Sequence, residues 1–233
     1  MLPTGARILT TALILFIGAG SVLAASNMVG DDKEICDVNA DAALGIENYP
    51  TAIRLHLDVL RSHPEEALAH YHLGFAYAMV GRREEELREY RKAAALGLQL
   101  WDLYLNLGLA YLDRGQLNEG ATSLEHAALI GPRHFKINYN LALVYEKEGR
   151  LSEALQQITL SRKLQPRDLD AGNTNAIICV DMGDLACARE IWTQQLRESP
   201  EYHLAQVNLS LLNRSSGKVA QTDPVTLKLA DGL

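Results

Sequence analysis

YLNLGLAYLDRGQLNEGATSLEHAALIGP, residues 104–132, is the stretch whose reading decides the architecture. Tyr104, Leu107, Gly108 and Tyr111 recur at the three-and-four spacing of a helix face. Gly115 with Gln116 then breaks the run, Gly120, Leu124 and Ala127 resume the same spacing, and Pro132 ends it. The segment therefore reads as two helices joined by a tight turn. Its landmarks return along the chain with a constant step of 34 residues: Pro64, Leu98, Pro132, Pro166 and Pro200; Gly81, Gly115, Gly149 and Gly183; Tyr77, Tyr111 and Tyr145. A fixed period in this range marks stacked supersecondary units that bury their apolar faces on one another.

Working outward from that stretch, the pattern predicts helix pairs at Ala67–Val80 with Glu84–Leu96, Trp101–Arg114 with Leu117–Ile130, Phe135–Glu148 with Leu151–Leu164, and Leu169–Met182 with Leu185–Glu198. A first, weaker unit runs from about Cys36 to His63. Its leading helix carries Asn39, Ala40 and Ala43 where larger core residues stand later, as terminal units of arrays often do. Glu201–Asn213 reads as one further helix able to cover the last apolar face of the array. From Arg214 to the end, Ser215-Ser216-Gly217 and Pro224 predict a mobile tail.

Composition narrows the function classes. The chain has 22 Lys+Arg against 29 Asp+Glu, a net charge of −7, and no basic stripe suited to phosphate backbones, so nucleic acid is not an expected partner. Residues 1–24 differ from the rest: Arg7 is the only charge, an apolar run follows from Ile8 to Ile17, and Val22-Leu23-Ala24 is an A-x-A-like cleavage pattern. This layout predicts a secretory signal peptide and hence an exported chain, periplasmic in a Gram-negative bacterium and otherwise secreted. Left uncleaved, the same segment would attach the chain to a membrane. Residues 25–34 read as a flexible lead-in.

Three cysteines remain. Cys179 and Cys187 lie symmetrically about Gly183, across an expected turn, where facing residues can come close enough for a disulfide. The alternative, two small buried thiols, is open at this point. Cys36 is then the odd cysteine, either free or pairing between molecules. No Cys/His spacing points to zinc, and the histidines at 56, 63, 70, 72, 126, 134 and 203 are scattered. His70 and His72, two apart on a helix, point in different directions, and His63 across the turn lacks a further ligand set. No catalytic residues, metal ligands or cofactor site are expected.

On Leu107-Gly108, Tyr111, Gly120, Ala127 and Pro132, with their counterparts in the other units, the chain resembles the tetratricopeptide-repeat family over residues 35–213. The resemblance implies an all-α, right-handed superhelical solenoid of about five helix–turn–helix units over residues 35–200, plus a capping helix over 201–213. It also implies small residues where two helices approach closely, with Gly74, Gly108, Ala142 and Ala176 facing Ala52, Gly120, Ala154 and Ala188. Glu86 occupies one such slot, where it either bends out to solvent into the room left by Gly74 or stays in as a buried functional carboxylate. The family's groove-facing positions fall here on Tyr71 and Phe75, Leu105 and Leu109, and Tyr139 and Leu143, with Asn106 and Asn140 alongside to hold a peptide backbone. A carboxylate clamp is poorly matched, since Lys136 is the sole candidate base. The function implied by the resemblance is that of a non-enzymatic scaffold, one that holds a protein or peptide segment and assists assembly of an envelope or secretory complex. Two alternatives stand beside it: self-assembly into a homo-oligomer, and a thiol-redox module switched through Cys179 and Cys187.

Overall fold

The computed structural model describes residues 36–219, and the side chains of residues 36–214. The leader, the lead-in up to residue 35 and the chain beyond residue 219 lie outside the described residues. Among the described residues there are eleven α-helices and no strand, arranged as a helical-repeat solenoid fold. They divide into two compact units, one ending at Pro132 and one starting at Arg133. The first holds α1 (Val38–Gly45), α2 (Tyr49–Ser62), α3 (Ala67–Met79), α4 (Arg83–Ala95), α5 (Trp101–Leu112) and α6 (Leu117–Ile130). The second holds α7 (Phe135–Lys147), α8 (Leu151–Leu164), α9 (Leu169–Asp181), α10 (Leu185–Glu198) and α11 (His203–Val219).

The turns explain the glycine period. At the end of α3 the Arg82 N–H donates to the Tyr77 carbonyl at 2.9 Å, spanning Gly81 at a φ of 74°. This six-to-one bond closes the helix around a left-handed residue, satisfying a carbonyl that would otherwise be orphaned. The same bond recurs from Gln116 to Tyr111, Arg150 to Tyr145 and Asp184 to Cys179, at 3.0, 2.8 and 2.8 Å. Side chains reinforce two of these turns. The Arg82 guanidinium lies 4.4 Å from the Tyr77 ring centre and that of Arg150 lies 4.0 Å from Tyr145, so the tyrosine period is partly a stacking period.

Small residues set the helix spacing within pairs. A Cβ on Gly108 of α5 would stand 2.9 Å from Leu124 Cγ of α6, and one on Gly120 would stand 2.5 Å from Leu112 Cδ2. The leading helix α1 is short: Asp37 caps it by accepting from the N–H groups of Asn39 and Ala40, and it buries only Ala40, Ala43 and Leu44. Around it the first unit's core gathers Tyr71, Phe75, Tyr90, Leu103 and Leu107.

In the second unit the last core is built from Ala176, Cys179, Ala188 and Trp192, closed by Ala205 and Leu212 of α11. Trp192 Nε1 donates to Asn173 Oδ1 at 2.9 Å, and Asn208 of α11 donates to the same oxygen at 3.0 Å, so this buried amide oxygen is satisfied. Helix α11 continues to Val219, six residues past the Asn213 at which the capping helix was expected to end, and residues 220–233 of the expected tail lie outside the described residues. The sulfurs of Cys179 on α9 and Cys187 on α10 are bonded across the turn, with Cα atoms 6.0 Å apart.

Candidate functional site

The eight residues nominated for ligand contact separate into two groups. Tyr71 is 2 % exposed and Phe75 3 %, both inside the first unit's core, and Leu105 and Tyr139 are buried as well. Helix α3, which carries Tyr71 and Phe75, is buried at every residue from Leu68 to Ala78, and both side chains pack in the first unit's core. Burial also pushes the Tyr71 phenol well above its ordinary pKa. Asn106 and Leu109 on α5, and Asn140 and Leu143 on α7, stay half-buried. Asn106 Nδ2 donates to the Tyr71 hydroxyl at 3.4 Å, and Asn140 Nδ2 donates to the Lys136 carbonyl at 2.8 Å.

Glu86 does not bend out. It is 5 % exposed and accepts from Arg83 Nη1 at 3.0 Å, while desolvation raises its pKa in spite of that partner. His70 has acceptors for both ring nitrogens, Glu89 Oε2 at 2.7 Å and the Pro64 carbonyl at 3.1 Å. Burial works against the charge on Glu89, but hydrogen bonds from His70 and Arg88 outweigh it and lower its pKa. His63 is exposed.

His72 meets a different set. Cys36, just ahead of α1, Asp41 in its first turn, His56 on α2 and His72 on α3 bring four potential ligand atoms within 4.8 Å of one another. Asp41 Oδ1 is the meeting point, 2.7 Å from His72 Nδ1, 3.2 Å from His56 Nε2 and 3.3 Å from Cys36 Sγ. Cys36 Sγ and His72 Nδ1 are 3.5 Å apart, and the two imidazoles meet edge to face with centres at 5.3 Å. Two outer contacts orient the group: His56 Nδ1–H donates to the Ala52 carbonyl at 2.8 Å, and the Cys36 backbone N–H donates to Asp41 Oδ2 at 3.1 Å. Burial opposes the charge on Asp41, yet the hydrogen bonds from His56, His72 and Cys36 hold its carboxyl far below the usual range. Burial and the Asp41 charge push the Cys36 thiol up.

Sequence reasoning missed this grouping because no two of its members sit at a chelating spacing. The one available signal was His56, a polar residue among the inward positions Ala52, Leu55, Val59 and Leu60.

Comparison with known proteins agrees with this architecture. The family described as tetratricopeptide repeat matches residues 38–97 and 105–168, together more than half of the chain. Among solved structures, YrrB, described as "a TPR protein with an unusual peptide-binding site", superposes with a TM-score of 0.68 at 19% identity, covering 82% of this chain and 97% of its own. MamA gives 0.64 at 19% identity, over 71% and 96%; MamA from Desulfovibrio magneticus RS-1, from residue 41 to its end, gives 0.62 at 17%, over 72% and 99%. At these identities the likeness is one of fold. No curated protein matches the sequence. No helix among the described residues is long and apolar enough to cross a membrane.

Proposed function

We propose that this chain, which belongs to the tetratricopeptide-repeat family, is an exported interaction scaffold that holds a peptide segment at the half-buried Asn–Leu pair of α5, a pair that recurs on the first helix of the second unit. The observation that carries the reading is a repeated pair. Asn106 and Leu109 stand three residues apart on α5, and Asn140 and Leu143 stand in the same register 34 residues later on α7. Residues three apart share a helix face, so each pair offers an amide and an apolar side chain side by side. An amide can donate to and accept from a peptide backbone, while leucine contacts an apolar side chain of the same ligand. The peptide-binding site named for YrrB, a protein of similar fold, supports a peptide as the ligand class. Export rests on the signal-like layout of residues 1–24.

The experiment uses the chain recovered from an exporting host, with its mass reporting whether residues 1–24 are gone. Random displayed peptides are selected on the purified protein, and the best is titrated by fluorescence anisotropy. A shared motif should emerge, and the double variant Asn106→Ala, Leu109→Asp should weaken binding at least about tenfold, some 1.4 kcal/mol, with an unchanged circular dichroism spectrum. Absence of any enriched motif, or an affinity the variant leaves unchanged, would sink the binding surface. Retention of residues 1–24 would sink export by signal cleavage.

A further inference from the structure

The geometry points to a tetrahedral zinc(II) site made by Cys36 Sγ, Asp41 Oδ1, His56 Nε2 and His72 Nδ1, independent of the peptide-binding reading. Tetrahedral ligands bonded at about 2.0–2.3 Å stand roughly 3.3–3.8 Å from one another. Of the six separations, 3.2, 3.3 and 3.5 Å match that spacing or fall just short of it, 2.7 Å needs a small outward shift of His72 from Asp41, and the two from His56 Nε2 to Cys36 and His72 lie within 4.8 Å. One thiolate, two imidazoles and one carboxylate make a donor set suited to zinc, whereas calcium and magnesium take oxygen ligands.

The hydrogen bonding favours a cation at this point. The His56 Nδ1–H is committed to the Ala52 carbonyl, so a neutral imidazole turns its Nε2 lone pair toward the Asp41 carboxylate. His56 Nε2 and Asp41 Oδ1 then face each other at 3.2 Å, an arrangement that a bound metal ion would bridge. Three side chains also converge on the single oxygen Oδ1, while Oδ2 is already held by the Cys36 N–H. A carbonyl behind one histidine and a backbone donor behind the carboxylate are the outer-shell contacts that orient ligands in metal sites. The ligands come from the start of α1, from α2 and from α3, so a bound ion would fasten the eight-residue leading helix to the next two.

The test titrates the full chain, monomeric and with Cys179–Cys187 intact, with zinc(II) alone against a chromophoric chelator, and in parallel with cobalt(II). Wild type should take up one equivalent of zinc. Its cobalt form should show tetrahedral d–d bands and a thiolate charge-transfer band that only Cys36 can supply. Cys36→Ser should lose that band, and both Cys36→Ser and Asp41→Asn should weaken zinc at least about tenfold. Zinc should raise the Tm of wild type and not that of Cys36→Ser, a half-buried position whose change leaves the core packing in place. No uptake by wild type, or a cobalt spectrum without the thiolate band, would overturn the site.

Discussion

Glu47 occupies the place that glycine holds in the four later units, at a φ of 59°. The turn around it is built as the others are, with the Asn48 N–H donating to the Ala43 carbonyl at 2.8 Å. A side chain in the left-handed region crowds its own carbonyl, at a cost of roughly 1–2 kcal/mol, part of which glycine gives back through its looser unfolded chain. Glu47→Gly should therefore stabilise the protein by about 0.5–1 kcal/mol in urea unfolding followed by circular dichroism. A loss of stability would show that the Glu47 side chain makes a contact worth more than the backbone strain. The departure is visible in the sequence once the period is known, because 47 lies 34 residues before Gly81. Other residue-scale facts were not visible. Glu86 looked like a side chain that would leave its slot, yet Arg83, one turn earlier on the same helix, gives it a partner inside. Tyr71 and Phe75 looked like groove residues because the repeat register places them on a leading helix; whether such a helix keeps an open face depends on what packs around it.

At the scale of elements, the α5–α6 pair tests the claim that small residues set helix spacing. Even a methyl on Gly108 would press on Leu124 and come 3.2 Å from the Gly120 carbonyl, which is backbone and cannot swing aside. Gly108→Leu should cost at least about 2 kcal/mol, well beyond any helix-propensity gain of about 1 kcal/mol. Urea unfolding measures it, and a variant as stable as wild type would mean that the two helices separate freely. Helix boundaries were legible because local chemistry fixes them: the turn glycines close the leading helices, and Asp37, Asn48, Asp168 and Asp184 cap α1, α2, α9 and α10. The far end of α11 was not, since Ser215-Ser216-Gly217 reads locally as a break although the helix runs through it. The four-residue cluster was illegible for a different reason. Its members are brought together by three helices, and sequence spacing carries no information about that convergence until the register of α1 against α2 and α3 is known.

For the molecule as a whole, the balance of buried carboxylates predicts how stability follows pH. Desolvation raises the pKa of Glu86 in the first unit and, with Asp181 adding to it, of Glu146 in the second. A carboxyl whose folded value is raised favours folding fully below its unfolded value, and that contribution is lost as pH rises through the folded value. Glu89 runs the other way: its lowered value contributes above the unfolded value and is lost as pH falls through the folded one. The net charge of −7 adds self-repulsion at neutral pH that acidification relieves. Thermal unfolding should thus show Tm rising as pH drops from about 7 to about 5, then falling below about pH 4 as Glu89 and the other paired acids take up protons. Glu86→Gln separates the burial effect from general charge. It removes the buried charge and keeps the shape, so it should unfold at a higher temperature than wild type at neutral pH, with the gap closing toward the acid side. If Glu86→Gln were instead less stable by the same margin at both ends, the pairing with Arg83 would outweigh desolvation, and the acid-side rise of the wild type would have to come from net charge alone.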